Sequence, residues 1–447
     1  MKKQYIKLMS ILVVIVSMTA CDKYLDLEPA QSISENIALD TDRNVKNVLN
    51  GAYNVFRRAA LYNGNLLRNA ELLGGDGEIL WTGTFGGPRQ IAQKTMFAEN
   101  EDVRLQWMDS YAGINGVNNV LSALDVVNAA DRDRVEGEAL FLRALFHFDL
   151  VRFYGLQYEP GTTNSQLGVP IIATPTRGIN ESSFVSRNTV EEVYNQVIAD
   201  LTRASDLLPT SNGVFATKGA ADALLARVYL QKGDYQNARD RANTVISSGL
   251  YLLRPNYAAV FNNDNASSED IFVTQITTQD PASSMTIFFS TPPFGGRDGD
   301  IDILEGHLNL YEPNDQRLAL FYLGSGEMRS GKWNNQFGVV NLFRLAEMHL
   351  IRAETNARLS TSVGASPTED VNVLRTRSGL DPKDNVTLDD ILLERRLELA
   401  HEGFKIHDMR RLKLNVGSRP YNSPELVFPI PAREIIANPN LDQNPGY

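Results

Sequence analysis

Ala226-Arg227-Val228-Tyr229-Leu230-Gln231-Lys232-Gly233-Asp234-Tyr235, followed by Ala238 and Ala242, is the stretch from which the architecture can be read. Small residues at these spacings let two antiparallel helices approach closely, and Gly233 sits where the first of them must end. Such a pair cannot bury its faces alone, so it requires helical neighbours stacked on either side. The helices expected at 190–208 and 342–378 should supply them in degenerate form, since no second clear copy of the pattern occurs.

Working outward, the helical period recurs along most of the chain. Val45, Val48, Leu49, Ala52, Tyr53 and Phe56 share one face, with Asp40 or Thr41 placed to cap it. Leu105, Met108, Tyr111, Val117, Leu121 and Leu124 predict a helix over 104–126, with Trp107 on its core face. The stretch 134–154 is so apolar around Leu140, Leu145, Phe148 and Val151 that it should be buried. Thr189-Val190-Glu191-Glu192 has the form of a capping box for a helix that Pro209 follows. Further helices are expected over 217–231, 234–248, 342–360, 368–378 and 387–402, whereas only Ile271 to Thr277 reads as a strand. The pair at 226–242 resembles one tetratricopeptide repeat, and the fold class is mainly α.

Two long stretches differ in composition. Residues 62–100 hold Gly74, Gly75, Gly77, Gly83, Gly86 and Gly87 with Trp81, Phe85 and Arg89. Residues 280–338 hold Phe288, Phe289, Phe294, Tyr311, Trp333 and Phe337 among Gly, Pro and Asp. Loops this long are functional or disordered, and their aromatic content argues against disorder. A ring face offers apolar area and a negative quadrupole to the C–H face of a sugar or to peptide groups. Trp81 and Trp333 are the leading platforms, and the competing reading of each is a ring that packs its own loop.

The 447 residues, 43% of them apolar, can bury a large core without disulfides, and Cys21 is the single cysteine. A net charge of -11 argues against nucleic acid as a partner. Lys2, Lys3 and Lys7 precede the apolar run Leu8 to Met18, and Ser17-Met18-Thr19-Ala20 leads to Cys21, the layout of a secretory signal. That run is too short to span a bilayer. The expected organisation is a lipoprotein signal over 1–20, a lipidated tether over 21–38 beginning at an acylated Cys21, and one domain over 39–447.

Catalytic signatures find little support. Gly326 to Lys332 has the spacing of a phosphate-binding loop, but Trp333 stands where Ser or Thr must reach magnesium. His401 and Glu402 invite a zinc-protease reading, yet the next histidine is His407, about 240° further round a helix. Asp298, Asp300 and Asp302 open like a calcium loop, but Ile303 occupies the position of the sharp turn. Glu394, Glu398 and Glu402 beside Arg395 and Arg396 read as a solvated, salt-bridged helix face rather than as a carboxylate pair. No Gly-x-Ser-x-Gly elbow occurs. The reading is therefore a binding protein without enzymatic activity, cofactor or metal, with a hydrolase as the remote alternative.

Several segments together resemble the SusD/RagB family of surface-exposed outer-membrane lipoproteins. Cys21-Asp22-Lys23-Tyr24-Leu25-Asp26 looks like its mature start, and Trp107, Tyr111, Ile114 and Asn118 like its early helix. Glu138 to Ala144 leading to Phe153-Tyr154-Gly155, then Gly168-Val169-Pro170, is similar to its next block, and Arg344-Leu345-Ala346-Glu347 with Arg352-Ala353-Glu354 to a third. The most specific matches are Glu394-Arg395-Arg396-Leu397-Glu398-Leu399-Ala400-His401-Glu402-Gly403 with Asp408-Met409-Arg410-Arg411, Pro429-Ile430-Pro431, and the closing Gln443-Asn444-Pro445-Gly446-Tyr447. The resemblance implies four tetratricopeptide-like helix pairs and an irregular, loop-rich ligand-binding half with few short strands. It also implies a lid over a SusC-like TonB-dependent transporter, passing oligosaccharides, or in some members peptides, from the cell surface. By the same analogy the ligand site draws on Asp76, Trp81, Phe85, Arg89, Phe294, Arg297 and Trp333.

Overall fold

Residues 38–447 are described in the computed structural model; the signal, Cys21 and the tether up to residue 37 lie outside the described residues. The elements run α1 (Asp42–Phe56), α2 (Asn65–Gly74), β1 (Ile79–Trp81), α3 (Gly86–Gln93), α4 (Glu101–Leu121), α5 (Ala129–Tyr154), α6 (Val190–Leu207), α7 (Lys218–Lys232) and α8 (Tyr235–Ser247). They continue as β2 (Asp270–Thr274), α9 (Ser284–Phe289), β3 (Ile301–Ile303), α10 (Glu305–Leu308), β4 (Phe321–Gly324), β5 (Glu327–Ser330), β6 (Val340–Arg344), α11 (Leu345–Leu359), α12 (Pro367–Arg377), α13 (Leu388–Glu398), α14 (Lys405–Arg411) and α15 (Ala432–Ala437).

The helices are ordered as a ladder. α1 packs on α4, α4 on α5, and the contacts pass in turn through α6, α7, α8, α11 and α12. This makes four consecutive pairs, α1/α4, α5/α6, α7/α8 and α11/α12, the neighbours that the stretch at 226–242 requires. Ala220, Ala221, Ala223 and Ala226 of α7 are fully buried, as the close approach of α6 and α8 demands. Gly233 ends α7 at φ +76°, a conformation that disfavours any residue with a Cβ, and a Cβ there would lie 2.6 Å from Pro160. At the other ends, Thr41 caps α1, and Thr189 with Glu192 forms the expected capping box on α6. Among the described residues no helix is long and apolar enough to cross a membrane.

Among the described residues, three two-stranded antiparallel sheets stand beside this ladder, β1–β3, β2–β6 and β4–β5. The strand expected at 271–277 is β2, but its partner corrects the sequence reading: residues 340–344 are extended, and the helix expected from 342 begins at Leu345. The helix expected over 387–402 likewise stops at Glu398, and His401 turns left-handed at φ +62°. The stretch 62–100 is not one long loop, since it contains α2 and α3. Leu66 to Gly74 of α2 are all buried, the polar Arg68, Asn69 and Glu71 included, so here burial does not follow the polar–apolar pattern of the helix. Gly74 lets α2 approach α14 so closely that a Cβ would lie 2.6 Å from the Ile406 amide nitrogen.

A second correction concerns charge. Glu394, Glu398 and Glu402 are only 3%, 0% and 5% exposed, not on a solvated face. Arg317 Nη1 reaches Glu394 at 2.5 Å, Arg344 Nη1 reaches Glu398 at 2.5 Å, and Arg377 closes on Glu398 and Glu269. Lys332 Nζ bonds Glu402 at 2.6 Å. The charges are buried because each carboxylate meets guanidinium or ammonium groups from other parts of the chain, the condition under which such burial is tolerated.

Candidate ligand-binding surface

The first half of the site grows from the turn between α2 and β1. Gly75 has no room for a side chain, because a Cβ would lie 2.5 Å from Ile79 Cγ1 and 2.7 Å from the Glu71 carbonyl oxygen. The turn presents Asp76, whose carboxylate is held by the ammonium of buried Lys94; Lys94 also donates to the Ala92 carbonyl at 2.7 Å. β1 then carries Trp81 against Phe288, with ring centroids 5.7 Å apart. Arg89, on α3, donates from Nη2 to the Gly83 carbonyl at 2.8 Å. Asp76, Trp81 and Arg89 thereby line one cavity of about 310 Å³, with Leu80 and Leu304 among the apolar walls.

The second half is a ridge of rings and guanidinium beside it. Phe85, 50% exposed, meets Phe288 edge-on at 6.1 Å. Arg297 lies over Phe85 with its guanidinium carbon 4.2 Å from the ring centroid, and its Nη2 donates to Thr84 Oγ1 at 3.0 Å. Beneath it, Asp300 Oδ2 is 3.6 Å from Arg297 Nε, and burial pushes the Asp300 carboxyl upward. Phe294 sits in the short turn Pro292–Phe294, 39% exposed, and meets Tyr322 of β4 edge-on at 5.4 Å. The Tyr322 hydroxyl is fixed within 3.1 Å of Ser290 Oγ.

The pairing of β1 with β3, Trp81 opposite Ile301, joins the two halves. It brings Trp81 and Phe85 to Phe288 and Arg297, next to the cavity of Asp76 and Arg89, across two stretches more than 200 residues apart, while Phe294 packs on Tyr322 of β4. Trp333 is the exception and corrects the sequence reading. It is 3% exposed, its Nε1 donates to the His401 carbonyl at 3.2 Å, and Phe261 meets it edge-on. The ring closes the core between its loop and the segment after α13, and offers no free face. Trp81 combines both roles, because it is 8% exposed yet lines the cavity.

The acidic triplet is also divided. Asp302 Oδ1 accepts from Arg329 Nη1 at 2.5 Å and Thr82 Oγ1 at 3.2 Å, while Asp300 faces Arg297. Among the described residues no three acidic, histidine or cysteine side chains converge as metal ligands. Phe288, Asp300 and Tyr322 join the surface although sequence reasoning did not select them. The aromatic richness of 280–338 pointed to Phe288 but not to Tyr322, and Asp300 comes into place only through the β1–β3 register, in which the Thr82 amide donates to the Asp300 carbonyl at 2.9 Å. Such a surface can stack on one face of a flat ligand while guanidinium and carboxylate groups hydrogen-bond its edge.

Two family models match the chain. Residues 23–230 match a SusD-like family described as starch-binding and associating with the outer membrane, and residues 261–422 match the SusD family. A SusD-like protein, P2, from Formosa agariphila is 24% identical over 98% of both chains. Among solved structures, a SusD superfamily protein from Bacteroides thetaiotaomicron is 27% identical with a TM-score of 0.81, covering 91% of this chain and 100% of that one. A structure described as a putative sugar binding protein from Bacteroides vulgatus is 26% identical with a TM-score of 0.83, covering 92% and 99%.

Proposed function

The chain belongs to the SusD family, and on that footing we propose that it captures oligosaccharides at the cell surface by binding alone and hands them to a SusC-like TonB-dependent transporter in the outer membrane. Lipid attached at Cys21 would hold it beside that partner. The observation that carries the reading is the exposed Phe85 ring capped by Arg297, next to a cavity lined by Asp76, Trp81 and Arg89. A ring face and a guanidinium fork in one patch suit the alternating C–H and hydroxyl faces of a pyranose. Affinity at one such site is modest, on the order of micromolar to millimolar, and tethering beside a transporter raises the effective concentration.

The test is calorimetric titration of the soluble chain, beginning after Cys21, against a panel of polysaccharides and a peptide digest. Saturable heat with one glycan, weakened about thirtyfold by Phe85→Ala if the ring is a central hot spot of about 2 kcal/mol, supports the reading. Heat with the digest alone would replace sugar by peptide as the cargo. Product release from labelled polysaccharide would overturn the non-catalytic assignment.

A further inference from the structure

A second cavity, of about 300 Å³, lies on the other side of the turn at Gly75 and Ile79, between α2, α13 and α14. Leu392, Leu393, Leu412, Leu414 and Met409 make its outer walls, and Leu393 and Leu414 are exposed at its rim. Its floor is charged, but the charges are unequally satisfied. Glu78 is held by Arg396, by Lys405 and by His307 Nδ1 at 2.9 Å, and Asp408 by Arg395 Nε at 2.8 Å and Arg411 Nε at 2.6 Å.

Glu71 differs from these. It is 4% exposed and lines the cavity. Its Oε1 accepts from the backbone amides of Gly403, Phe404 and Lys405 at 2.8, 3.0 and 3.3 Å. Its Oε2 accepts no hydrogen bond from a described residue and is not among the polar atoms sealed away from solvent. No cation of the described residues forms an ion pair with it; Lys405 acts on it through space, but the Lys405 ammonium is bonded to Glu78. Burial pushes the Glu71 carboxyl up to about 7, against the three backbone amides and Lys405, which act to lower it.

We propose that this cavity is a second binding site, for a small primary amine with an apolar body, whose ammonium pairs with Glu71 Oε2 while its hydrocarbon lies among the leucines. The three cations in the lining, Arg395, Arg396 and Lys405, are each bonded to carboxylates other than Glu71. Arg395 is bonded through Nε alone, its Nη1 and Nη2 being buried and without a hydrogen-bond partner among the described residues, which makes the anionic counterpart in the test below the decisive control. A ligand cation therefore completes the pairing instead of duplicating it. The walls suit an aliphatic chain or single aromatic ring better than a polyhydroxylated sugar. The site is separate from the ring surface, and its occupancy does not depend on the cargo assigned above.

The test uses the soluble chain at pH 8 titrated with 2-phenylethylammonium, with 2-phenylethanol and 3-phenylpropanoate as neutral and anionic counterparts of similar size. One saturable equivalent of the ammonium is expected, at least tenfold tighter than either counterpart. Glu71→Gln keeps an oxygen for the three backbone amides and removes the charge, so it should weaken the ammonium at least tenfold and leave 2-phenylethanol unchanged. Leu412→Trp, which fills the cavity without touching the ion pairs, should abolish binding and serves as a second probe if Glu71→Gln does not fold. Absence of saturable binding by the folded parent, equal binding of the three compounds, or binding that survives both substitutions overturns the proposal.

Discussion

Arg344 and Glu402 face each other as a two-pronged fork, Nε to Oε2 at 2.7 Å and Nη2 to Oε1 at 2.9 Å, with neither residue more than 5% exposed. The fork fastens the last residue of β6 to the segment between α13 and α14. The same guanidinium also reaches Glu269 at 3.1 Å and Glu398 at 2.5 Å. A planar group with five donors can serve several carboxylates at once, which lysine cannot do. Arg344→Met should therefore destabilise the fold by about 3–5 kcal/mol, because it leaves carboxylates buried and undercompensated. Denaturant unfolding with an unchanged midpoint would refute this.

Two rings should behave in opposite ways. Trp333→Phe removes the bond to the His401 carbonyl and part of a buried side chain, and should lower stability by about 1–3 kcal/mol without changing ligand affinity. Phe85→Ala truncates a half-exposed ring, and should leave the melting temperature within a few degrees while weakening the ligand. Melting and titration of both variants against the parent's own ligand decide the matter; a binding loss confined to Trp333→Phe would move the site.

Gly233→Ala tests the helix ladder at its clearest junction. The left-handed φ costs roughly 1–2 kcal/mol for a residue with a Cβ, and the new methyl meets Pro160. A loss of that size in chemical denaturation is expected, while an unchanged or raised midpoint would mean that α7 and α8 are joined differently.

Glu71 should give the stability a pH signature. Its carboxyl is raised to about 7 in the fold and returns to the ordinary carboxylate value in the unfolded chain. Between those values the folded state holds a proton that the unfolded state has lost, so stability falls as pH rises through this window, by about 3 kcal/mol at most. Comparing unfolding free energies at pH 4.5 and 7.5 for the parent and Glu71→Gln isolates this group. Identical differences would show that Glu71 does not titrate as described.

What could be read beforehand divides along physical lines. Helices with one apolar face, such as α1 with Val45, Leu49, Ala52, Tyr53 and Phe56, carry their own signature because burial on one side imposes the period. The capping box at Thr189 is equally local. In α2 the apolar Leu66, Leu67, Ala70 and Leu73 do alternate with Arg68, Asn69 and Glu71 at a helical period, but the polar residues are buried as well, so the pattern does not tell which side meets solvent. Glu398 resembles any surface glutamate until Arg344 and Arg377, distant along the chain, close around it. The site was legible as composition, in the clustering of rings and glycines, but not as geometry. Which tryptophan faces outward depends on whether its neighbour is a cavity, as for Trp81, or a backbone carbonyl, as for Trp333.

The antiparallel match of Ile79 with Ile303 and Trp81 with Ile301 also bears on the order in which the protein is made. A ribosome that has released residues up to about 260 has delivered six of the eight ladder helices, yet neither β3 nor Arg297 has emerged. Until synthesis passes residue 303, Trp81 lacks its strand partner and Phe85 its guanidinium cap. A chain stopped near residue 260 holds Asp76, Trp81, Phe85 and Arg89 but neither β3 nor Arg297, so the candidate surface is assembled only after most of the helix ladder has been made.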